Sequence, residues 1–381
     1  MQAQMTANNN SIYDVCMITM SFLRHDARTI NISKTLFKNN KKVCVIGYGN
    51  DNEKYDFIDF KTISKPFYSR VFKEWSYFRK VCKKLYPVIQ AKTYWASDFY
   101  SLPIASHYAK KYGAKLIYDA REIYSAIGSL HNRRFTQTVQ TFLEKKWVKN
   151  VDKIVVTGEL DKEYLINHFK TDIPFYIVKN FPPFREAVKS EIIREKFKIP
   201  QDKKILIYQG MISEGRGIIP AIKALSHLED FVFCIFGDGI LRKEAMQLSE
   251  KLGLTNKVIF AGNINYSELH QWTCSADIGL ALIEPISYSY NLALPNKLFE
   301  YCMAGIPSLV SDLPAMKQII DEFGIGLAIN PDSEPKDIAG AISKIAQKDN
   351  YTKFKNACAN ASYRLSFDSQ DNIVMSLFNE Y

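Results

Sequence analysis

The sequence predicts a two-domain α/β protein in which each domain is built around a doubly wound parallel sheet. Its 381 residues, 47% of them hydrophobic, exceed what one ordinary core requires. Apolar strand-like runs alternate with helix-like segments in both halves, which is typical of parallel sheets covered on both faces. A segment with two prolines, VKNFPPF at 178–184, separates the halves. Since ligands of such sheets bind beyond the strand carboxyl ends, we expect a cleft between the domains.

The first half, residues 1–182, reads as one Rossmann-like domain. A polar turn, SFLRHDAR, follows the first apolar run, and a helix is predicted at 27–39. The runs are rich in β-branched and aromatic residues, as buried strands are. Strands are predicted at 12–20, 41–49, 55–60, 91–97, 114–119 and 153–157.

The second half, residues 183–365, repeats the same rhythm. The final stretch, 366–381, places Ile373, Val374, Leu377 and Phe378 at helical spacing, which predicts a helix that packs back on the first domain. Strands are predicted at 203–210, 231–239, 256–262, 277–283, 306–312 and 324–329.

Composition and missing motifs exclude several classes. Seven scattered cysteines without a C-x-x-C pair favour buried, reduced thiols in a cytoplasmic protein. No apolar run approaches the ~20 residues of a membrane span, and MQAQMTANNNS is not typical of a secretory signal. The chain lacks H-E-x-x-H, a P-loop and G-x-G-x-x-G after its first strand, which disfavours zinc proteases, P-loop ATPases and NAD dehydrogenases. It also lacks D-x-D, so no metal site is predicted.

The positive charge is concentrated in the first half. Residues 1–175 hold 28 Lys and Arg against 16 Asp and Glu, a net charge of +12, whereas the remainder holds 22 against 24. Nucleic acid, anionic lipid or a phosphate-bearing acceptor would each fit such a bias. The basic, aromatic segment 66–87 predicts either a helix that lies on an anionic membrane surface or an outer helix with a solvated face.

Two glycine-rich turns are candidate ligand sites in the second half. The turn in YQGMISEGRG (208–217) follows a strand and precedes a helix, where free N–H groups favour anions. Arg216 adds a permanent cation between Gly210 and Gly217, although a plain turn is an equal alternative. The turn FGDG offers the ligand candidates Gly237, Asp238 and Gly239, although Asp-Gly is also a common turn pair.

A third candidate site lies in SYSYNLALPNKLFEYCMAG (287–305). Asn291 precedes a predicted helix start at Pro295 or Asn296, and Lys297 and Glu300 share one face of that helix. An ammonium suits a phosphate and a carboxylate suits a ribose diol. The alternative is a surface salt bridge, which contributes only a few tenths of a kcal/mol.

In the first half, charged residues cluster where strands end. Arg121 and Glu122 follow one strand in YDAREIY, Asp98 follows another, and Arg24 and His25 lie in the turn after the first strand. Since strand carboxyl ends face the expected cleft, these are candidate substrate contacts.

Taken together, these segments resemble the family 4 retaining glycosyltransferases, which have the GT-B fold. YQGMISEGRG is similar to the family's Y-x-G-R-L-x-x-x-K-G, with Met211 for its arginine and Arg216 for its lysine. Residues 237–283 are similar to the middle of its donor domain. Glu300 matches the second glutamate of E-x7-E, whereas Leu292 stands at the first, where Asn291 or the PNK turn is the substitute. YDAREIY resembles Y-D-x-H-E-L, with Arg121 for the histidine.

The resemblance implies metal-independent transfer of a sugar, from UDP-sugar in preference, to a hydroxyl acceptor, without a cofactor. It places Arg216 and Lys297 at the diphosphate, Ile264 at the base and Glu300 at the ribose, with Arg121 and Glu122 orienting donor and acceptor. Arg24, His25, Asp98 and Arg121 are the acceptor-binding candidates.

The implied acceptors are a sugar, a lipid-linked sugar or a protein glycan in cell-envelope polysaccharide or glycolipid assembly. The expected location is cytoplasmic, with peripheral attachment to the inner membrane face through 66–87 as an option. A sugar-nucleotide epimerase of the same fold is the alternative. A nucleic-acid-binding protein is a distant one, because it leaves Arg216 and Glu300 unexplained.

Overall fold

The computed structural model describes residues 12–50, 52–67, 71–85, 89–123, 134–292 and 294–378. The chain divides into two compact units. One comprises the residues up to Asn180 together with Gln370 and the residues after it, and the other comprises Phe181–Ser369. Each unit is built on its own parallel sheet.

In the described part of the first unit, seven strands form one parallel sheet in the order β3-β2-β1-β4-β5-β6-β7. The direction of winding reverses between β1 and β4, so the loops that follow these two strands flank the switch point of the sheet. The strands are β1 (Tyr13–Phe22), β2 (Val43–Tyr48), β3 (Asp59–Ile63), β4 (Ala91–Ala96), β5 (Lys115–Ala120), β6 (Lys153–Val156) and β7 (Phe175–Ile177).

Helices connect these strands and cover the sheet. A 3₁₀ turn at Leu23–His25 leads into the first helix, where the Asp26 side chain accepts a hydrogen bond from the Thr29 N–H and caps the helix. The third helix ends at Gly113, which adopts the left-handed conformation that favours glycine. The helices are α1 (Ala27–Lys38), α2 (Val71–Leu85), α3 (Leu102–Tyr112), α4 (Arg134–Val148) and α5 (Glu159–Phe169).

The second unit contains a six-stranded parallel sheet within its described residues, in the order β10-β9-β8-β11-β12-β13. Its switch point lies between β8 and β11. The strands are β8 (Lys204–Gln209), β9 (Phe231–Phe236), β10 (Val258–Gly262), β11 (Ile278–Ala281), β12 (Ser308–Ser311) and β13 (Gly326–Ile329).

The helices of the second unit follow its strands in alternation. They pack buried aliphatic side chains such as Ile222, Leu225 and Ile342 against the sheet. The helices are α6 (Ile192–Phe197), α7 (Ile218–Leu225), α8 (Arg242–Lys251), α9 (Tyr266–Cys274), α10 (Tyr288–Asn291), α11 (Asn296–Met303), α12 (Pro314–Phe323), α13 (Pro335–Ala346) and α14 (Lys348–Ala361).

The chain ends in the first unit. After a 3₁₀ turn at Phe367–Gln370, helix α15 (Asp371–Ser376) lies against α1, where the Thr35 hydroxyl donates to Asp371 at 2.6 Å. The Lys153 ammonium donates to the Leu377 carbonyl oxygen at 2.8 Å. These contacts make the terminal segment part of the first unit.

The structure confirms the predicted fold class of two parallel-sheet α/β units, and every predicted strand is present. The third lies at Asp59–Ile63 instead of 55–60, because Tyr55 and Ile58 form only an isolated antiparallel bridge. Strand β7 was missed because it has only three residues, all half-buried. Among the described residues, no helix combines the length and apolarity that a bilayer span requires.

Candidate functional site

Two loops meet at the switch point of the second unit. One follows β8 and carries Gly210 to Gly217, and the other follows β11. The Gly217 N–H donates to Glu284 Oε1 at 3.1 Å, and the Glu284 N–H donates to the Gly215 carbonyl oxygen at 3.1 Å. A carboxylate of the chain therefore occupies the amino-terminal end of α7, where the sequence predicted a free anion site.

Two glycines allow this close packing. Gly217 has a φ of +70°, and a Cβ there would lie 1.9 Å from the Leu282 carbonyl oxygen. A Cβ on Gly237, which has a φ of +134°, would lie 1.9 Å from the Gly210 carbonyl oxygen. Any side chain at either position would push the loops apart, so these glycines shape the strand-end surface.

Lys297, in the first turn of α11, is a buried ammonium. Its Nζ lies 3.7 Å from the centroid of the Tyr208 ring, and the residue is 7% exposed. Burial lowers the pKa of Lys297 to about 7, the Arg216 charge adds to this effect, and Glu300 opposes it. In the described part of the chain, Lys297 forms no ion pair.

Arg216 is the second cation of this site. Its guanidinium lies over the Tyr290 ring, 4.9 Å from the centroid, which is a cation–π distance. Its Nε is buried and has no hydrogen-bond partner within the described residues. Since a buried donor without a partner is costly, the arrangement fits an anion that would accept from it.

Glu300 lies one turn further along α11. Its Oε2 accepts a hydrogen bond from the Gln209 side-chain amide, and Gln209 Oε1 lies 2.8 Å from the Thr273 hydroxyl. Burial raises the pKa of Glu300, against the Gln209 hydrogen bond and the charges of Lys297 and Arg185. The carboxylate borders a small pocket that is also lined by Arg185 and Tyr266.

Lys297 feels the charges of both Arg216 and Glu300, so these three side chains form one electrostatic cluster. Arg216 belongs to the loop after β8, Lys297 of α11 faces that loop, and the Glu300 carboxylate follows on α11. The cluster can therefore bind a ligand that carries anionic groups at one end and hydroxyl groups at the other.

A comparison with protein families gives residues 189–364 as a match to the family described as glycosyl transferases group 1. The match lies within the second unit, which is therefore called the group 1 domain. The match covers the β8 loop and the whole of α11, and so includes Arg216, Lys297 and Glu300. The candidate site thus belongs to the part of the chain that identifies the family.

The group 1 match is supported by distant curated relatives. The chain is 22% identical over 213 residues to a putative colanic acid biosynthesis glycosyl transferase of Escherichia coli, covering 52% of this chain and 51% of the relative. It is 26% identical over 167 residues to a lipopolysaccharide core biosynthesis glycosyltransferase of Rhizobium meliloti, covering 42% of this chain and 44% of the relative. The chain thus spans about half the length of the curated relatives that it matches.

Solved structures share the fold over nearly the whole chain. Sucrose-phosphate synthase from Thermosynechococcus elongatus has a TM-score of 0.77 at 14% identity, covering 96% of this chain and 98% of that one. HepE of Anabaena, solved in complex with UDP, has a TM-score of 0.74 at 12% identity, covering 96% of this chain and 99% of HepE. These likenesses show the GT-B fold, which agrees with the two parallel-sheet units.

Several predicted residues of the group 1 domain shape its turns. A Cβ on Gly239 would lie 2.2 Å from the Ile212 carbonyl oxygen, so Gly239 allows the β9 loop to pack on the β8 loop. Asp238 is exposed, and its Oδ1 accepts from the Gly239 N–H at 2.8 Å. Its carboxylate therefore hydrogen-bonds within its own turn, as expected if Asp-Gly is a turn pair and not a ligand contact.

Other predicted residues of the group 1 domain lie at the margin of the cluster. Asn296 is exposed at the first position of α11, with Pro295 as the N-cap, and Asn291 ends α10. Ile264 is half-buried in the loop between β10 and α9. Among the described residues, neither asparagine side chain hydrogen-bonds to Arg216, Lys297 or Glu300.

In the first unit, Arg121 has a structural partner for three of its donors. Its Nε donates to Asp119 at 3.0 Å, its Nη1 to Asp26 at 2.7 Å and its Nη2 to the Thr29 hydroxyl at 2.7 Å. Burial alone would raise the pKa of Asp26, but the Arg121 charge and the Thr29 hydrogen bonds lower it. Arg121 thus holds this buried network together, and its predicted role toward donor and acceptor stays a prediction.

Asp98 likewise bonds within the first unit. It accepts from the Met20 N–H at 2.9 Å and from the Ser101 N–H at 2.7 Å. It therefore ties the loop after β4 to β1. Of the remaining candidates there, Arg24, His25 and Glu122 are exposed, and Arg24 pairs with Glu53 at 3.3 Å.

The sequence did not single out Gln209, Tyr208, Thr273, Glu284 or Arg185. Tyr208 and Gln209 end strand β8 directly before the glycine-rich turn, so their position was a usable signal. Thr273 and Arg185 reach the site only through the tertiary fold, and no local pattern marks them.

Proposed function

We propose that the protein is a retaining glycosyltransferase that moves a sugar from a UDP-sugar to a hydroxyl acceptor. The observation that carries the proposal is the cluster in the group 1 domain. Lys297 and Arg216 form no ion pair among the described residues, and Glu300 follows Lys297 on the same face of α11. A nucleoside diphosphate supplies the matching charges and hydroxyl groups.

The donor is proposed to bind with its diphosphate at Arg216 and Lys297 and its ribose at Glu300. The base would lie against the loop that carries Ile264. UDP is favoured by the resemblance to family 4 retaining glycosyltransferases, and HepE, a structural relative, binds UDP. The two cations balance diphosphate charge, which supports a reaction without a metal ion.

The proposed reaction begins at the donor C1. The bond from C1 to the diphosphate oxygen breaks as an oxocarbenium-like transition state develops, as in glycoside hydrolysis. Negative charge grows on the departing oxygen, where Arg216 and Lys297 stabilise it. The acceptor oxygen bonds to C1 from the same face, and its proton passes to the departing phosphate. No protein nucleophile is needed.

Glu284 is proposed to contribute to donor-sugar binding. Leu292 stands where the family pattern has its first glutamate, so that carboxylate is missing from its usual place. The Glu284 carboxylate lies at the start of α7, bonded to the Gly217 N–H. Because this contact places it beside Gly217, which follows Arg216 in the loop after β8, we propose Glu284 as the replacement in preference to Asn291.

Thermal shift with UDP-, GDP- and ADP-sugars in the presence of EDTA tests the donor assignment. We expect selective stabilisation by the UDP-sugar, and Glu300→Ala should abolish it. Equal responses to all three nucleotides, or a response that requires Mg²⁺, would contradict the proposal. Turnover of the UDP-sugar to its epimer without an acceptor would favour the epimerase instead.

The acceptor is proposed to be a lipid-linked or polysaccharide sugar presented at a membrane surface. The curated relatives are named for colanic acid and lipopolysaccharide core biosynthesis. Within the first unit, α2 and α4 contact each other through Trp75 and Trp147, whose ring centroids are 6.0 Å apart. These two helices carry the surface that would face the lipid.

The charge of this surface is strongly one-sided. Of the two acidic residues on the described helix faces, Glu74 pairs with Lys65 at 3.2 Å, and Glu144 is buried and accepts from the Tyr118 hydroxyl. Phe67 and Phe72 expose large apolar side chains. The exposed basic residues are Lys73, Arg79, Lys80, Lys83, Lys84, Lys145 and Lys146. Basic residues near anionic lipid each contribute about 1 kcal/mol, so we propose peripheral attachment.

Sedimentation with phosphatidylglycerol and phosphatidylcholine vesicles tests the attachment. Reversing Lys73, Arg79, Lys80, Lys83 and Lys84 to Glu should abolish binding to the anionic vesicles. The matched control reverses five exposed lysines of α13 and α14, namely Lys336, Lys344, Lys348, Lys353 and Lys355, and should retain most of it. Equal binding to both vesicle types, or equal loss in both variants, would refute the attachment.

A further inference from the structure

We propose that Gln209 is a positioning residue, held by Thr273, that turns the Glu300 carboxylate toward the ribose of a bound nucleoside diphosphate. This inference rests on the proposed function and deepens it. It concerns three side chains from three elements, β8, α9 and α11, that are joined by hydrogen bonds.

The geometry leaves the Gln209 amide only one orientation. Gln209 is 3% exposed, and its NH₂ group donates to Glu300 Oε2. An ionised carboxylate only accepts, so the NH₂ group and not the carbonyl must face Glu300. The Gln209 carbonyl then points to the fully buried Thr273, whose hydroxyl lies 2.8 Å away. That hydroxyl is also 2.8 Å from the Leu269 carbonyl oxygen, so its single proton is shared between the two carbonyl acceptors.

One oxygen of Glu300 remains available for a ligand. Oε2 is taken by Gln209, whereas Oε1 makes no hydrogen bond within the described part of the chain. Glu300 lines the pocket that Arg185, Tyr266 and His270 also border. A ribose hydroxyl in this pocket would donate to Oε1 of Glu300. Because Gln209 holds the other oxygen, Oε2, it fixes the direction in which Oε1 points.

The charged surroundings of Glu300 make this contact necessary. Burial favours the protonated carboxyl and raises its pKa. The groups that oppose this are Gln209 from β8, Lys297 from its own helix and Arg185 from the segment before α6. Tyr266 and His270 are titratable neighbours on α9. A protonated carboxyl loses acceptor capacity, so removal of Gln209 should weaken nucleotide binding most at low pH.

The expected effects follow from the hydrogen bond to a charged group. Gln209→Leu keeps the approximate shape but removes the donor, which should weaken UDP binding about tenfold or more. Thr273→Val removes only the hydroxyl that holds Gln209 and should produce a smaller loss. Thr273→Ser keeps the hydroxyl, so this variant should bind UDP like the native protein.

A double-mutant cycle separates positioning from general damage. UDP affinity is measured by calorimetry at several pH values between 6 and 8 on the full chain, Gln209→Leu, Glu300→Gln and the double variant. If Gln209 acts through Glu300, its loss changes affinity less than about twofold once Glu300 is Gln. The same fold-loss in both backgrounds would overturn the inference.

A matched control is available in the first unit. Gln370 is also 3% exposed, and its amide bonds to the Lys179 backbone N–H and carbonyl. Gln370→Leu therefore removes a comparable buried amide away from the group 1 domain. It should leave UDP affinity unchanged. A loss equal to that of Gln209→Leu would show that any buried amide has this effect.

Failure of the proposed function is distinguishable from failure of this inference. If the native protein binds none of UDP, GDP and ADP, the proposed function fails. The Glu300 titration is then followed directly by carbon-13 NMR on glutamate-labelled protein, with Glu300→Gln to assign the signal. Gln209→Leu must move the Glu300 midpoint to higher pH, and an unchanged midpoint would overturn the positioning role.

Discussion

Both units place cationic side chains near the switch point of their sheet, but among the described residues these cations are paired with carboxylates only in the first unit. At the switch point of the first unit, Arg28 and Arg121 are both paired with carboxylates, and Arg28 donates to Asp119 through three contacts of 2.9–3.1 Å. At the switch point of the second unit, Arg216 and Lys297 have no ion pair within the described residues. Charge at a strand end alone therefore does not distinguish the two units, whereas the absence of an ion pair does.

The largest expected effect comes from breaking the paired network. Arg28→Met leaves Asp119, which is 0% exposed, with less compensation in a buried setting. Removing one partner of a buried ion pair costs about 3–5 kcal/mol. Urea unfolding should report this loss in the free energy of unfolding. A change below about 1 kcal/mol would show that the network contributes little, and the comparison between the units would lose its basis.

The same type of substitution in the unpaired cluster should affect the reaction rather than the fold. Arg216→Met removes a cation that forms no ion pair in the described part of the chain, so the free energy of unfolding should change by less than about 1 kcal/mol. Transfer should slow about a hundredfold, equivalent to ~3 kcal/mol of lost transition-state stabilisation. Initial rates with the UDP-sugar measure this. If the variant lost much stability but transferred sugar at the native rate, Arg216 would stabilise the fold, as Arg28 does, and not the reaction.

Lys297 should make the unpaired cluster sensitive to pH. Its folded-state pKa of about 7 lies below the ordinary lysine value, so the unfolded chain binds the proton more tightly. The resulting destabilisation is complete below pH 7 and is relieved as pH rises toward the ordinary value. Lys297→Met should therefore raise the free energy of unfolding more at pH 6 than at pH 9. If Lys297→Met changed the free energy of unfolding equally at pH 6 and pH 9, Lys297 would not be a destabilising buried ammonium.

Nucleotide binding should have the reverse dependence on pH. A bound diphosphate favours the charged Lys297, so UDP affinity should fall above pH 7, by at most tenfold per pH unit. Binding should also take up protons, which calorimetry detects as a dependence on the ionisation heat of the buffer. Lys297→Arg stays charged and should abolish both effects, and it serves as the control.

The smallest effect is expected at Asp238, which separates a turn from a ligand contact. Asp238→Ala removes a hydrogen bond within an exposed turn, so the free energy of unfolding should fall by about 1 kcal/mol at most. UDP affinity should change less than about threefold. A loss of tenfold or more in calorimetry would return Asp238 to the donor site.

Most of the fold was predictable because its signals are local. Buried parallel strands such as β8 and β9 are continuous apolar runs, and the glycine turns after them are visible in the sequence. Lys297 and Glu300 were predictable as partners because three positions on a helix share a face. Strand β7 gave no such signal, since three half-buried residues carry no periodicity.

The pairing of charges was not predictable, because it depends on contacts between distant positions. Arg121 and Arg216 look alike in sequence, as each follows a strand in the company of acidic residues. Only the fold places Asp26, 95 positions away, against Arg121. Likewise, Gln209 meets Glu300 from 91 positions away and Thr273 from 64, and no spacing rule relates them.

The return of the chain to the first unit makes the second unit an insertion. Gln370 bonds the Lys179 backbone on the first-unit side, while the Phe367 N–H donates to the Pro182 carbonyl oxygen at 2.8 Å on the second-unit side. Both ends of Phe181–Ser369 thus lie side by side. A fragment that spans this segment should therefore have neighbouring termini, whereas removal of the carboxyl-terminal helix would remove contacts to α1 and Lys153 in the first unit.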